Sequence, residues 1–342
     1  MTTTRLSREE LEALVSAALQ AAGASAGAAE ATARALVLAE IDGQSGHGLS
    51  RVESYAAQVR SGKVNGTASP TITRPRPGVI MVDVVNGFFY PAANAAAAAI
   101  AEAARENGIA AAGFCRSHHA GALSLVVERY ASQGLIAMMF ANTPKAMTAW
   151  GGRKALFGTN PIAFAAPVPA HAPIIVDLAL SEVARGKILK ASQEGKPIPE
   201  GWAKDADGKP TTDAAAALKG TLQPIGGAKG AALALMVEIL AAALIGANLS
   251  SEATSFFDGE GAPPAVGQLL VVIDPEAFGG GATVAAKMAI LADAIAGDDD
   301  GARLPGSTRA QKRADAEREG IAVAPAMLAQ LRAQAGLAPT ST

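Results

Sequence analysis

Cysteine is nearly absent: Cys115 stands alone in 342 residues, so an internal disulfide, and with it a cross-linked extracellular scaffold, is excluded. No sign of charge dominates either. The 29 basic and 31 acidic residues are interleaved, for a formal charge of -2, with no basic stripe or tail to meet a phosphate backbone. Nucleic acid is therefore not an expected partner. Met1 is followed by Thr-Thr-Thr-Arg rather than the apolar core of an export signal, which points to the cytoplasm. The longest apolar run, Ala231 to Ala247, approaches spanning length but carries Glu238, and reads as a buried helix and not as a membrane segment. Three glycine signatures are also missing: no G-x-G-x-x-G after a strand, no G-x-x-x-x-G-K-[ST] and no G-x-S-x-G. An ordinary dinucleotide fold, a P-loop and an α/β-hydrolase each lose their mark. No His, Cys or carboxylate cluster has metal-ligand spacing, so no metal is expected.

What is present is a 50% apolar chain, rich in alanine and glycine, long enough to bury one large core or two to three smaller ones. Ser7 and Glu10 have capping-box spacing ahead of Leu11, Leu14, Val15, Ala18 and Leu19, which predicts a helix over 7–22. Further helices are predicted from Ala29 to Ile41 and, with Leu49, Val52, Tyr55, Ala56 and Val59 on one face, up to Gly62. Residues 1–62 thus form an N-terminal helical segment. Beyond Pro70, Pro75 and Pro77, strands alternate with helices. Strands are expected at Val79–Val85, Ile109–Cys115, Leu135–Ala141, Ile174–Leu180 and Gln268–Asp274. Helices are expected from Pro91 to Gly108, Leu123 to Ser132 and Thr283 to Ala296, before a charged helical tail. The fold class is α/β with a helical N-terminal extension.

Three of the four histidines fall in two short islands, Gly46-His47-Gly48 and Ser117-His118-His119-Ala120-Gly121. Imidazole titrates nearest neutrality and is the readiest proton donor for a developing alkoxide. Arg51 follows His47 by four residues, and one helical turn sets them side by side, pairing a planar fork for a carboxylate with a proton donor for its carbonyl or imine. The plain alternative is a helix-start histidine beside a solvated arginine. His118 and His119 point to opposite sides if the strand continues through them, which makes them poor joint metal ligands. The remaining glycine turns, Gly158-Thr159-Asn160-Pro161, Gly226-Gly227-Ala228-Lys229-Gly230 and Leu304-Pro305-Gly306, can bring N–H groups and a lysine to phosphates.

In their order along the chain these islands resemble the malate/L-lactate dehydrogenase family, which also holds ureidoglycolate, sulfolactate and diketogulonate enzymes and cyclic ketimine reductases. The motifs are DGQSGHGLSR at 42–51, SHHAG at 117–121, GTNP at 158–161, Asp177, ARGKI at 184–188, IPEGWA at 198–203, PTTD at 210–213 and GGAKG at 226–230. The likeness spans roughly residues 8–330. It implies a non-Rossmann malate/L-lactate dehydrogenase-type fold, NAD or NADP as cofactor, a small carboxylate substrate and a homodimer. It also implies a discontinuous substrate and dimer domain, 76–110 plus 265–342, around a cofactor domain at 111–264. The reaction implied is hydride transfer to or from a 2-oxo/2-hydroxy acid of malate, lactate or sulfolactate type, or alternatively reduction of pyrroline- or piperideine-2-carboxylate. By motif position His47 is the proton donor or acceptor, Arg51 the carboxylate clamp and His119 a further catalytic and cofactor-facing group. Gly121, Thr159, Asp177, Leu178, Lys229, Gly306 and Arg309 fall on the cofactor, while Thr159 and Lys187 join Arg51 on the substrate. Two positions depart from the family: Gly46 stands where serine is common before the histidine, and Ala120 where a bulky aromatic is common. Lys187 stands where the ketimine reductases carry an aspartate, and a cation there suits added negative charge on the substrate over a protonated imine.

Overall fold

The computed structural model describes residues 3–298 and 301–338. The capping box forms as expected: Ser7 Oγ accepts from the Glu10 N–H at 3.1 Å, and the Glu10 carboxylate accepts from the Ser7 N–H at 2.8 Å. It opens helix Arg8–Ala21, whose Leu11, Val15, Ala18 and Leu19 are buried. Helix Ala26–Ile41 starts earlier than its apolar pattern suggests because Ser25 caps it. Two single-turn 3-10 segments, Ser45–His47 and Leu49–Arg51, then lead through Gly48 into helix Val52–Arg60. This helical unit does not stand alone. It shares one core with the end of the chain, where strand Ile321–Val323 pairs with Thr4–Leu6 and Leu328 and Leu331 of helix Pro325–Gln334 pack inward.

The centre is a seven-stranded sheet in the order Thr71–Arg76, Val79–Asp83, Ile109–Ser117, Val266–Ile273, Ile136–Ala141, Ile162–Ala166, Ile174–Leu178. Val79–Asp83 and Ile109–Ser117 run parallel, joined by helix Phe89–Asn107, and every other neighbouring pair is antiparallel. A dinucleotide fold of the doubly wound kind needs consecutive parallel strands, so this sheet agrees with the missing glycine fingerprint. Strand Val79–Asp83 ends before Val85 because Val85 and Asn86 both turn into the left-handed region, with φ of 55° and 56°. Helices Phe89–Asn107 and Ser124–Ala131 cover the sheet and bury Phe89, Ile100, Phe114, Val127 and Tyr130 between them.

A third core lies around a five-stranded sheet of short strands, Pro210–Thr211, Ala203–Lys204, Thr221–Leu222, Met147–Thr148 and Ala155–Phe157, packed with helices Arg185–Gln193, Ala214–Lys219 and Ala228–Ala241. The expected limit at 110/111 falls inside strand Ile109–Ser117, and the central sheet takes strands from both expected units. Hydrogen-bonded continuity, invisible to composition, makes the sheet one body.

The helix expected to be buried over Ala231–Ala247 is only half so. Ala231, Ala234, Val237, Glu238 and Ala241 face inward at helical spacing, while Leu233, Leu235, Met236 and Ile239 are exposed. A sequence apolar all round gives no sign of which face is covered. Glu238, which interrupts the run, points into the core: its carboxylate accepts from Asn160 Nδ2 at 2.8 Å, from the Ser250 N–H at 2.5 Å and from Ser250 Oγ at 2.6 Å. That network holds the 158–161 turn, in which Asn160 is fully buried at φ 38°.

Candidate active site

His47 and Arg51 do not share a regular helical turn, since Gly48 separates their two 3-10 segments, yet the chain folds them together. Arg51 Nε donates to the Gly46 carbonyl at 2.7 Å, and its guanidinium lies over the Phe257 ring, 4.6 Å from the centroid. His47 packs against His119, ring centroids 5.2 Å apart. Strand Ile109–Ser117 ends just before the two adjacent histidines, so they do not diverge across a sheet; both turn toward helix Val52–Arg60. Tyr55 Oη meets His119 Nδ1 at 2.7 Å, and Gln58 Oε1 meets His118 Nε2 at 2.5 Å. Phe88 and Phe256 close the sides: Phe256 lies 4.7 Å from His119 and 5.6 Å from His118, and Phe88 5.6 Å from His118.

Burial shapes the electrostatics of this cluster. Loss of hydration, reinforced by the Arg51 guanidinium, lowers His47 to about 4, with the Asp177 carboxylate pulling the other way. The same two causes, joined by Lys63, lower His118 to about 3, and His119 also falls well below the usual imidazole range. Tyr55 is pushed up by burial and stays protonated. Three polar atoms in the cluster, His47 Nδ1, Arg51 Nη1 and His118 Nδ1, are buried without a hydrogen-bond partner among the described residues. Unpaired buried polar atoms of this kind cost free energy, and a polar ligand that reached them would recover it.

Asp177 joins the site from the edge strand: its Oδ2 accepts from Gln44 Nε2 at 3.1 Å and from the Ser124 N–H at 3.0 Å. Leu178, next to it, is exposed. Gly121 has φ 56°, and a Cβ there would stand 2.5 Å from Tyr90 Oη, which itself accepts from the Ala122 N–H at 3.0 Å. Gly306 has φ 86°, and its Cβ would stand 2.9 Å from Ile175 Cβ. Thr159 is held by its N–H on Thr143 Oγ1 at 2.9 Å. Lys229 lies in the first turn of helix Ala228–Ala241 after Gly226 and Gly227, both at positive φ, and is exposed. Arg309 is engaged elsewhere, donating to Asp42 Oδ2 at 3.0 Å. Lys187, exposed in helix Arg185–Gln193, makes no hydrogen bond or ion pair with the His47 cluster.

Sequence reasoning missed Tyr55, Gln58, Gln44, Phe256 and Phe257. Tyr55 was visible only as one apolar-face residue of its helix. The Phe256-Phe257 pair carried a usable signal, being two adjacent aromatics in a chain with 4% of them.

Residues 6–332 match the family profile described as malate/L-lactate dehydrogenase. The chain belongs to the malate/L-lactate dehydrogenase family. It is accordingly an oxidoreductase, with the non-Rossmann fold its motif order implies. Among curated relatives, a (2R)-3-sulfolactate dehydrogenase (NADP(+)) of Chromohalobacter salexigens is 45% identical over 330 residues, 96% of this chain and 98% of that protein. A Δ1-pyrroline-2-carboxylate reductase of Ancylobacter novellus is 41% identical, covering 96% and 97%. Among solved structures, Δ1-piperideine-2-carboxylate reductase from Pseudomonas syringae superposes with a TM-score of 0.92 at 39% identity, over 97% of this chain and all of that one.

The buried histidines make stability depend on pH. Above about pH 6.5 folded and unfolded chains both hold neutral imidazoles. Below it the unfolded chain binds protons that the folded site refuses, so stability is complete above pH 6.5 and is lost as pH falls toward the folded values, about 4 for His47 and about 3 for His118. Each histidine adds a slope approaching about 1.4 kcal/mol per pH unit within its window. Urea unfolding of wild type and His118→Gln from pH 8 to pH 5 measures this, with a shallower decline expected for the variant. Parallel declines would show that His118 takes up its proton in the folded state.

Proposed function

We propose that this enzyme interconverts a 2-oxo acid and its 2-hydroxy acid with NAD(P)H, and that it favours substrates carrying an added negative charge. One observation carries the reading: Arg51 presents a buried, unpartnered Nη1 beside His47, inside an aromatic-walled site. A carboxylate fits the guanidinium fork, and Phe257 beneath it fixes the plane in which the fork is offered. His47 holds the proton for the substrate oxygen. Its low basicity arises partly from Arg51, so a carboxylate that neutralises Arg51 makes His47 a better proton carrier at the moment the substrate is in place.

The residues around the cleft fit a nicotinamide dinucleotide. Gly121 and Gly306 have left-handed backbones whose missing Cβ atoms let the chain pack directly on Tyr90 and Ile175, and Gly226-Gly227 with Lys229 offers N–H groups and a cation at a helix start. Asp177, with Leu178 beside it, is tied to Gln44 and Ser124, Thr159 to Thr143, and His119 stacks near His47; these, with Arg309 on Asp42, are the remaining groups we assign to the cofactor side. When bound, the nicotinamide supplies or accepts the hydride. The sulfolactate enzyme named above uses NADP(+), which makes NADP the first cofactor to try.

A second reading, reduction of a cyclic 2-imino acid, is favoured by the pyrroline and piperideine reductases among the relatives. Position 46 speaks for the first. A side chain there would meet no atom within 4 Å, so the serine common in the family has room and its absence is a chemical difference rather than a steric one. Lys187 is exposed and makes no hydrogen bond or ion pair with the His47 cluster, so it does not decide between the two readings.

Steady-state oxidation of NADPH and NADH with oxaloacetate, pyruvate, sulfopyruvate and pyrroline-2-carboxylate decides between them. Higher kcat/KM for the dianionic oxo acids is expected, and a clear preference for the cyclic imine overturns the assignment. His47→Ala should lower kcat by about 10²–10⁴-fold with cofactor affinity nearly intact, as measured by fluorescence titration; retention of most turnover at neutral pH would make His47 structural.

We further propose a homodimer. Leu233, Leu235, Met236 and Ile239 on one helix, and Ile290 and Leu291 on helix Gly281–Ala296, whose single buried residue is Ala292, leave an apolar surface that a second copy can cover. Light scattering should give twice the 34.2 kDa chain mass, and the mass of one chain would count against it.

A further inference from the structure

Helix Val52–Arg60 grips the two adjacent histidines with one side chain each, and the hydrogen-bond chemistry of the two grips can be worked out. Gln58 Nε2 donates to the Phe256 carbonyl at 2.9 Å, so its Oε1 is the atom that faces His118, and His118 must donate from Nε2. The second grip is less constrained on its face, because a phenol oxygen can donate to or accept from the His119 Nδ1 that lies 2.7 Å away. Burial settles the direction. Tyr55 is 1% exposed, and His119 Nδ1 is the one hydrogen-bond partner its hydroxyl has among the described residues. If Nδ1 carried the proton, the Tyr55 O–H would be left buried without an acceptor, at a cost that the opposite arrangement avoids.

We propose that Tyr55 is a positioning residue for the reaction: its hydroxyl donates to His119 Nδ1 and so fixes His119 as the neutral tautomer with its proton on Nε2. That nitrogen lies across the ring from Tyr55. The two imidazoles, 5.2 Å apart, then have different tasks. His47 carries the mobile proton, while His119 offers a fixed donor that stabilises charge on the reacting oxygen without giving its proton away. The inference rests on the oxidoreductase reading for its consequence but not for its geometry. Tyr55 also sits one turn after Arg51 on the same stretch of chain, so the carboxylate clamp and the tautomer lock move as one piece. Phe88, 5.5 Å from the Tyr55 ring, keeps that ring in place when the hydroxyl is removed.

The test is Tyr55→Phe, which deletes the hydroxyl and keeps the ring stack, with a matching urea midpoint as the check on folding. Two-bond ¹H–¹⁵N spectra of histidine-labelled protein, assigned with His119→Gln, report the tautomer directly and need neither substrate nor cofactor. Wild type should show His119 with an unprotonated Nδ1 and a protonated Nε2, and Tyr55→Phe should populate the other tautomer. With the preferred substrate, the variant should lose about tenfold in kcat, the scale of one buried hydrogen bond, with KM for the cofactor within about twofold. A wild-type His119 protonated on Nδ1 overturns the proposal, whatever the substrate proves to be. A tautomer that changes in Tyr55→Phe while kcat does not overturns the role of the fixed donor.

Discussion

Asp42 has no exposed side-chain surface, and its carboxylate accepts from Arg309 at 3.0 Å and from both Nε and Nη2 of Arg313 at 2.8 and 2.7 Å. Arg313 continues to Glu128 on the sheet-covering helix at 2.7 and 2.8 Å, and Lys312 binds the Asp42 carbonyl at 2.9 Å. A buried carboxylate without its partners costs several kcal/mol, so the end of the second helix can sit only where the C-terminal arginines meet the 124–131 helix. The loop from Gly43 to Arg51 hangs from that point. Gln44, two residues on, reaches Asp177, and His47 and Arg51 follow from there. The position of the candidate chemistry is thus set by ions that take no part in it.

The same logic of burial governs the site. Phe88, Phe256 and Phe257 exclude water from one side, which keeps the imidazoles neutral and strengthens every charge interaction with Arg51. The loop that carries Phe256 and Phe257 has little core of its own. It is tied by Lys63, a nearly fully buried ammonium that donates to the Ser255 carbonyl at 2.7 Å and to the Asp258 carbonyl and carboxylate at 3.2 Å each. Removing hydration from Lys63 is tolerable because three oxygens replace it. An aromatic wall on a tethered loop can differ among relatives without disturbing the sheet, which suits a fold that serves both oxo acids and imino acids.

Local pattern carried far in this chain. The capping box at Ser7 and Glu10, the left-handed stop at Gly108, and the apolar spacing of five sheet strands are all short-range effects, and the elements they mark lie within a few residues of the pattern, whereas strands Thr71–Arg76 and Ile162–Ala166 carried no such mark. The scarcity of histidine marked the islands of His47 and of His118-His119, the family resemblance chose His119 from the second, and motif order indicated a fold without a parallel dinucleotide sheet. What pattern could not show is which partner each side chain has. Tyr55 and His119 are 64 residues apart, Gln58 and Phe256 198, Arg313 and Asp42 271. No periodicity couples such distances.

Residue type and spacing therefore determined what chemistry is available: an imidazole, a guanidinium fork, glycine turns, one unpaired thiol. Tertiary structure decided the state in which that chemistry is held. An imidazole is neutral, and protonated on one nitrogen rather than the other, because of which oxygen a distant helix brings to it and how much water the fold removes. An arginine keeps a buried, unpartnered donor at 51 and is a strut at 309 because one lies beside aromatic rings and the other closes on a buried carboxylate. Desolvation and hydrogen-bond direction are properties of an enclosure, and an enclosure exists only once the chain has folded.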